Sequence, residues 1–112
     1  DYPEAYYNLG NVLSDIGKLQ DAELSYRKAI EIKPDYPDAH LNLGNILKDL
    51  GKLNEAELYT RKAIELKPDC SKAYTHLGKI LLKKGKHIEG IEQIKKGTGF
   101  IQFDLIHGLS IS

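Results

Sequence analysis

The sequence predicts an all-α solenoid of stacked helix–turn–helix units, on three observations. Gly10, Gly44 and Gly78 stand at a constant interval (44 − 10 = 78 − 44 = 34), each inside a similar string. The strings are Asn8-Leu9-Gly10-Asn11, Asn42-Leu43-Gly44-Asn45 and His76-Leu77-Gly78-Lys79. Gly17, Gly51 and Gly85 repeat with the same step. Residues 3–36 and 37–70 agree at about two positions in three, and a fixed period near 34 marks a helical repeat. One such unit cannot bury its apolar face alone, so neighbours stack and a curved surface follows. Function is therefore expected in a groove.

Each full unit reads as two helices. The first spans roughly Pro3–Ile16 and recurs at roughly Pro37–Leu50, with proline at a first helical position where its missing N–H costs nothing. Asp1 and Asp35, just upstream, are expected to accept hydrogen bonds from the free amides. Gly17 and Gly51 close these helices in the left-handed conformation. The second helices run at roughly Gln20–Lys33 and Asn54–Lys67, and Pro34 and Pro68 stop them. Apolar and small residues recur at helical spacing: Tyr6, Leu9, Gly10 and Leu13, then Ala22, Tyr26, Ala29 and Ile30.

The third unit begins normally, from Asp69 through Gly85, and then departs from the pattern. It carries Gly90 and Gly97 where the earlier units have alanines, and no proline closes it. Each glycine costs a helix about 1 kcal/mol against alanine, so a weak last helix is expected. The array is placed at residues 1–97, with repeats at about 3–36, 37–70 and 71–97. The tail, 98–112, alternates phenylalanine and isoleucine with polar residues around a His-Gly pair. Two readings stand for it: a hairpin opening another domain, or a segment capping the last repeat. The absence of methionine and the match of Asp1-Tyr2-Pro3 to Asp35-Tyr36-Pro37 are read as a cut through a longer array.

Composition removes several function classes. Sixteen Lys and Arg balance sixteen Asp and Glu, so no basic footprint for nucleic acid is present. No run of about 18 apolar residues offers a membrane span, and no signal-peptide pattern opens the chain. A single cysteine, Cys70, excludes an internal disulfide framework and fits a reducing, cytoplasmic compartment. His40, His76, His87 and His107 lack metal-ligand spacing, so no metal or other cofactor is expected. No phosphate loop, nucleophile elbow or zincin motif occurs, so an enzyme is not expected. His40, at the position of Tyr6, is read as a packed ring.

The order Tyr6, Leu9, Gly10, Leu13, Ala22, Tyr26, Ala29, Pro34 resembles the tetratricopeptide repeat pattern. The second unit matches with His40, Leu43, Gly44, Leu47, Ala56, Ala63 and Pro68, and Thr60 replaces an aromatic. The third keeps Tyr74, Leu77, Gly78 and Leu81. The resemblance implies a right-handed superhelix whose first helices line a concave protein-binding groove. Within the family the Asn-Leu-Gly-Asn strings look most like the arrays of O-GlcNAc transferase-type enzymes. There an asparagine ladder holds a peptide backbone; the matching positions here are Asn8 and Asn42, with His76 as the third rung. Another branch clamps a C-terminal carboxylate from five positions, which here hold Tyr7, Asn11, Asn42, Lys72 and His76. Tyr7 and His76 replace basic residues there, which argues against a chaperone-tail clamp.

The expected groove residues are therefore Tyr7, Asn8, Asn11, Asn42, Asn45, Lys72, His76 and Lys79. A side-chain amide offers donors and an acceptor, matching a peptide group without reading sequence. The expected function is non-catalytic binding of an extended peptide or protein segment. The alternatives are an end-to-end homo-oligomeric scaffold and a substrate-positioning array of a larger enzyme such as a glycosyltransferase.

Overall fold

The computed structural model describes residues 2–98, and they form six helices and no strand. These are α1 (Pro3–Asp15), α2 (Leu19–Ile32), α3 (Pro37–Asp49), α4 (Leu53–Leu66) and α5 (Ser71–Lys83). The sixth, α6, covers residues 87–98. Residues 99–112, on which the hairpin and capping readings fall, lie outside the described residues. Consecutive helices pair antiparallel and the pairs stack, so that α2 lies against α3 and α4 against α5. The result is a helical solenoid.

The punctuation works largely as its chemistry requires. Gly17, Gly51 and Gly85 adopt φ of 83°, 82° and 83°, a region costly for any residue with a Cβ. Each lets the chain fold back so that the following lysine amide reaches a helix carbonyl, as in Lys18 N–H to Leu13 at 2.8 Å. Tyr36, not Asp35, occupies the N-cap position of α3, and Tyr2 that of α1, with no side-chain capping bond from either tyrosine; Asp1 lies outside the described residues. Proline as the first helical residue already removes one of the amides that a cap would satisfy.

The core is a layer of small and branched side chains between helix pairs. Ala22 and Tyr26 of α2 meet Leu43, Ile46 and Leu47 of α3, and Ala56 and Ile80 continue the cluster. Gly10 faces the ring of Tyr26 so closely that a Cβ there would lie 2.6 Å from its Cε1. Gly90, expected to weaken its helix, sits where a Cβ would lie 2.9 Å from the Gly78 carbonyl. Gly97 similarly faces the Ser71 carbonyl at 2.6 Å. These glycines set the close approach of α5 and α6.

Charges on α2 and α4 tie each repeat to the next. Glu23 is buried and binds Arg27 at 2.9 Å and Lys52, from the next repeat, at 3.3 Å. Glu57 repeats the arrangement with Arg61 at 2.9 Å and Lys84 at 2.6 Å. Burial alone would raise the Glu23 carboxyl, but the bonds from Arg27 and Lys52 outweigh it and hold it below the usual range. Arg27 also reaches Glu55 at 3.3 Å and Arg61 reaches Glu89 at 3.5 Å, in one register.

Candidate functional site: the inner surface of α1, α3 and α5

The first helix of each pair carries one polar stripe, its members four, three and four residues apart and therefore on a single helix face. On α1 the stripe is Glu4, Asn8, Asn11 and Asp15, and on α3 it is Asp38, Asn42, Asn45 and Asp49. On α5 it is Lys72, His76, Lys79 and Lys83. Between α1 and α3 the surface dips into an open cavity of about 340 Å³, lined by residues that include Asn11, Asp15, Asn42 and Asn45.

A hydrogen-bonded chain crosses this dip. Tyr26, buried between the helices, donates to Asn11 Oδ1 at 2.5 Å. Asn42 Nδ2 donates to the same oxygen at 2.9 Å and to the Tyr7 hydroxyl at 3.2 Å. Burial pushes the Tyr26 phenol up to about 12, so it remains a donor at any working pH. Tyr7 is held between Tyr26 and Tyr36, with ring centroids 5.9 and 5.2 Å away. Asn11, Asn42 and Tyr7 are thus brought together and fixed by one another. Asn8 is exposed on the same face; neither it nor Asn45 makes a side-chain bond among the described residues. His40 is packed away from the surface, its Nε2 donating to the Pro34 carbonyl at 2.7 Å and its ring stacked on Tyr59.

The third stripe is cationic. Lys72, Lys79 and Lys83 are exposed, and Lys48 of α3 joins them with its ammonium 3.9 Å from Asp49. Lys48 was not among the residues expected from sequence, because its repeat equivalents are Ser14 and Leu82 and no pattern singles it out.

Tetratricopeptide repeat models match this chain at residues 10–51, 37–70 and 71–100. The chain belongs to the tetratricopeptide repeat family. Among solved tetratricopeptide structures, one of MamA is 29% identical with a TM-score of 0.83, covering 93% of this chain and 61% of that one. A second MamA structure is 31% identical with a TM-score of 0.81, covering 88% of this chain and 54% of that one. This tetratricopeptide chain therefore spans little more than half the length of those MamA chains. The second tetratricopeptide domain of Spaghetti (RPAP3), solved bound to the HSP90 peptide SRMEEVD, shares the fold. Its TM-score is 0.83 at 23% identity, and the match covers 87% of this chain and 90% of that one. No curated protein matches. Among the described residues no group of side chains could hold a metal, and no helix is long and apolar enough to cross a membrane.

His76 gives this tetratricopeptide surface a pH signature. Burial, and then the neighbouring Lys48, Lys79 and Lys72, lower its ring from 6.5 to about 4. Among the described residues its Nδ1 is buried with no hydrogen-bond partner. The unfolded chain takes up a proton as pH falls through about 6.5, while the folded ring stays neutral until about 4. The stability that depends on the neutral ring is complete above that upper value and is lost on the way down. His40, lowered mainly by burial, acts in the same sense. The melting temperature should therefore fall between about pH 7 and pH 5, where carboxylates remain ionised. Replacing His76→Gln should flatten that slope; an unchanged slope would assign it elsewhere.

Proposed function

We propose that the inner surface of α1, α3 and α5 binds an extended peptide segment of a partner protein, without catalysis. The observation that carries the reading is the Tyr26–Asn11–Asn42–Tyr7 chain, which locks amide groups in place at a polar dip. Locked donors lose little conformational freedom on binding, so what contact they make is not spent on ordering. The Asn11 Nδ2 and the whole Asn45 amide remain without side-chain partners among the described residues. Adjacent first helices pack at about 8–10 Å, so amides on neighbouring stripes would meet an extended chain about every third residue. That a tetratricopeptide domain of this fold holds a peptide, as the Spaghetti domain does, supports the reading at the level of the fold. The chaperone-tail variant of it is disfavoured by Tyr7 and His76, which leave a carboxylate clamp short of cations.

The test must separate recognition from folding. Asn11→Ala would strand the buried Tyr26 hydroxyl, a loss of about 1–3 kcal/mol of stability whatever it does to binding. Asn8→Ala with Asn45→Ala touches no internal bond. That pair should weaken an extended peptide, followed by fluorescence anisotropy, by about tenfold, at about 0.5–1.5 kcal/mol per amide contact. An unchanged affinity with an intact helical signal would refute the groove.

A second reading, end-to-end stacking of copies, is favoured by one observation. Leu9 and Val12 are 47% and 56% exposed, while their equivalents Leu43 and Ile46 are 0% and 1% exposed against α2. Asp21 also stands at the repeat position of Glu55 and Glu89, each of which accepts an arginine from the preceding unit. Lys95 stands at the donor position, so one copy could continue the register of another.

A further inference from the structure

Three equivalent stripes run along α1, α3 and α5, and the third is chemically unlike the other two. The α1 and α3 stripes carry carboxylates at both ends with amides between them, whereas α5 carries lysines and a histidine throughout. Lys48 adds a fourth ammonium, close enough that Lys79 and Lys83 act on it electrostatically and that it acts on His76. On α2 and α4, by contrast, Glu23 and Glu57 each gather two cations. Here Lys48 pairs only with Asp49, and Lys72, Lys79 and Lys83 have no ion-pair partner among the described residues. Like charges held this near repel one another, and an incoming anion relieves the repulsion.

We propose that this lysine cluster docks an acidic stretch of an extended protein segment, whose neutral portion lies along the amides of α3 and α1. The proposal rests on the peptide-groove reading and names the chemistry of its ligand. Lys72 and Lys83 are separated by about three turns of α5, roughly 16 Å of helix. One chain-terminal carboxylate cannot meet both, so the match is to several acidic side chains. A nucleic acid fits less well. Its phosphates continue past any short site, and beyond α5 they would meet Asp49 and the carboxylates of the two acidic stripes.

The experiment uses the full chain and three N-acetylated, C-terminally amidated peptides, followed by fluorescence anisotropy. They share a serine–asparagine half and differ in the other half, which is a run of glutamate, glutamine or lysine. The glutamate peptide should bind about tenfold tighter than the glutamine peptide, the sum of several exposed ion pairs. That advantage should shrink towards 1 M salt, where charges are screened within about 3 Å. Lys79→Glu with Lys83→Glu, both at exposed positions, should turn the preference towards the lysine peptide while leaving the helical signal unchanged. Equal affinity for glutamate and glutamine would overturn the inference and leave the groove standing. So would an acidic preference that survives the double reversal, a requirement for a free C-terminal carboxylate, or equally tight binding of a single-stranded oligonucleotide of matched charge. Failure of all three peptides to bind would overturn the groove reading, and this inference with it.

Discussion

Leu43→Ala is expected to destabilise the protein by about 2–5 kcal/mol, and the same change at Leu9 by about 1 kcal/mol or less. The two leucines occupy one position of the repeat and differ only in what lies before them. Leu43 is fully buried among Ile46, Leu47 and the Ala22–Tyr26 face of α2. Its truncation leaves a cavity that helices on both sides are too constrained to fill. Leu9 has no such neighbour among the described residues and stays about half exposed at 47%. Urea unfolding reads the difference directly as a shift in midpoint. The pair also tests stacking of copies. If Leu9 is covered by a second molecule, its truncation should become costly at high protein concentration and abolish concentration dependence in sedimentation. Equal losses at both positions under dilute conditions would mean that stacking of one repeat on the next is not the main source of stability.

Most of the fold was legible because the repeat writes it more than once. The glycines of the turns, the prolines at helix starts and ends, and the small residues at helix crossings are each local signals with a local cause. Where the reading failed, the deciding partner lay on another helix. Nothing in its own helix marks Glu23 as the point where Lys52 of the next repeat joins Arg27. Gly90 looked like a defect in a helix, although its lack of a side chain is what lets the Gly78 carbonyl approach. The site followed the same division. Asn8, Asn42 and His76 were expected from the family resemblance, and helical spacing sets each of them on the polar stripe of its own helix. The bonds that lock Asn11 to Tyr26 and Asn42 to Tyr7 join residues 15 and 35 apart, and no periodicity reports them. Lys48 escaped because it breaks the repeat.

The other large effect is expected at Gly78. An alanine there gains about 1 kcal/mol of helix propensity over glycine. Against that gain, its Cβ would lie 2.6 Å from the Gly90 carbonyl oxygen and 3.0 Å from the Ile94 nitrogen, with the Ile94 side chain nearer still. Two of these obstacles are backbone, so α5 and α6 must separate rather than a side chain rotate. Overpacking of this kind costs about 1–3 kcal/mol, and the backbone contacts place Gly78 at the upper end. Gly85, seven residues on in the same repeat, supplies the control. Nothing lies within 4 Å of a Cβ there, and alanine pays only for the left-handed φ of 83°, about 1–2 kcal/mol. Both variants should lower the melting temperature, but only Gly78→Ala should also shift the α5 stripe relative to α3 and blunt discrimination between glutamate and glutamine peptides. If Gly85→Ala blunted it equally, general destabilisation would explain the loss. Loss confined to Gly78→Ala would instead tie ligand choice to the spacing that this glycine permits.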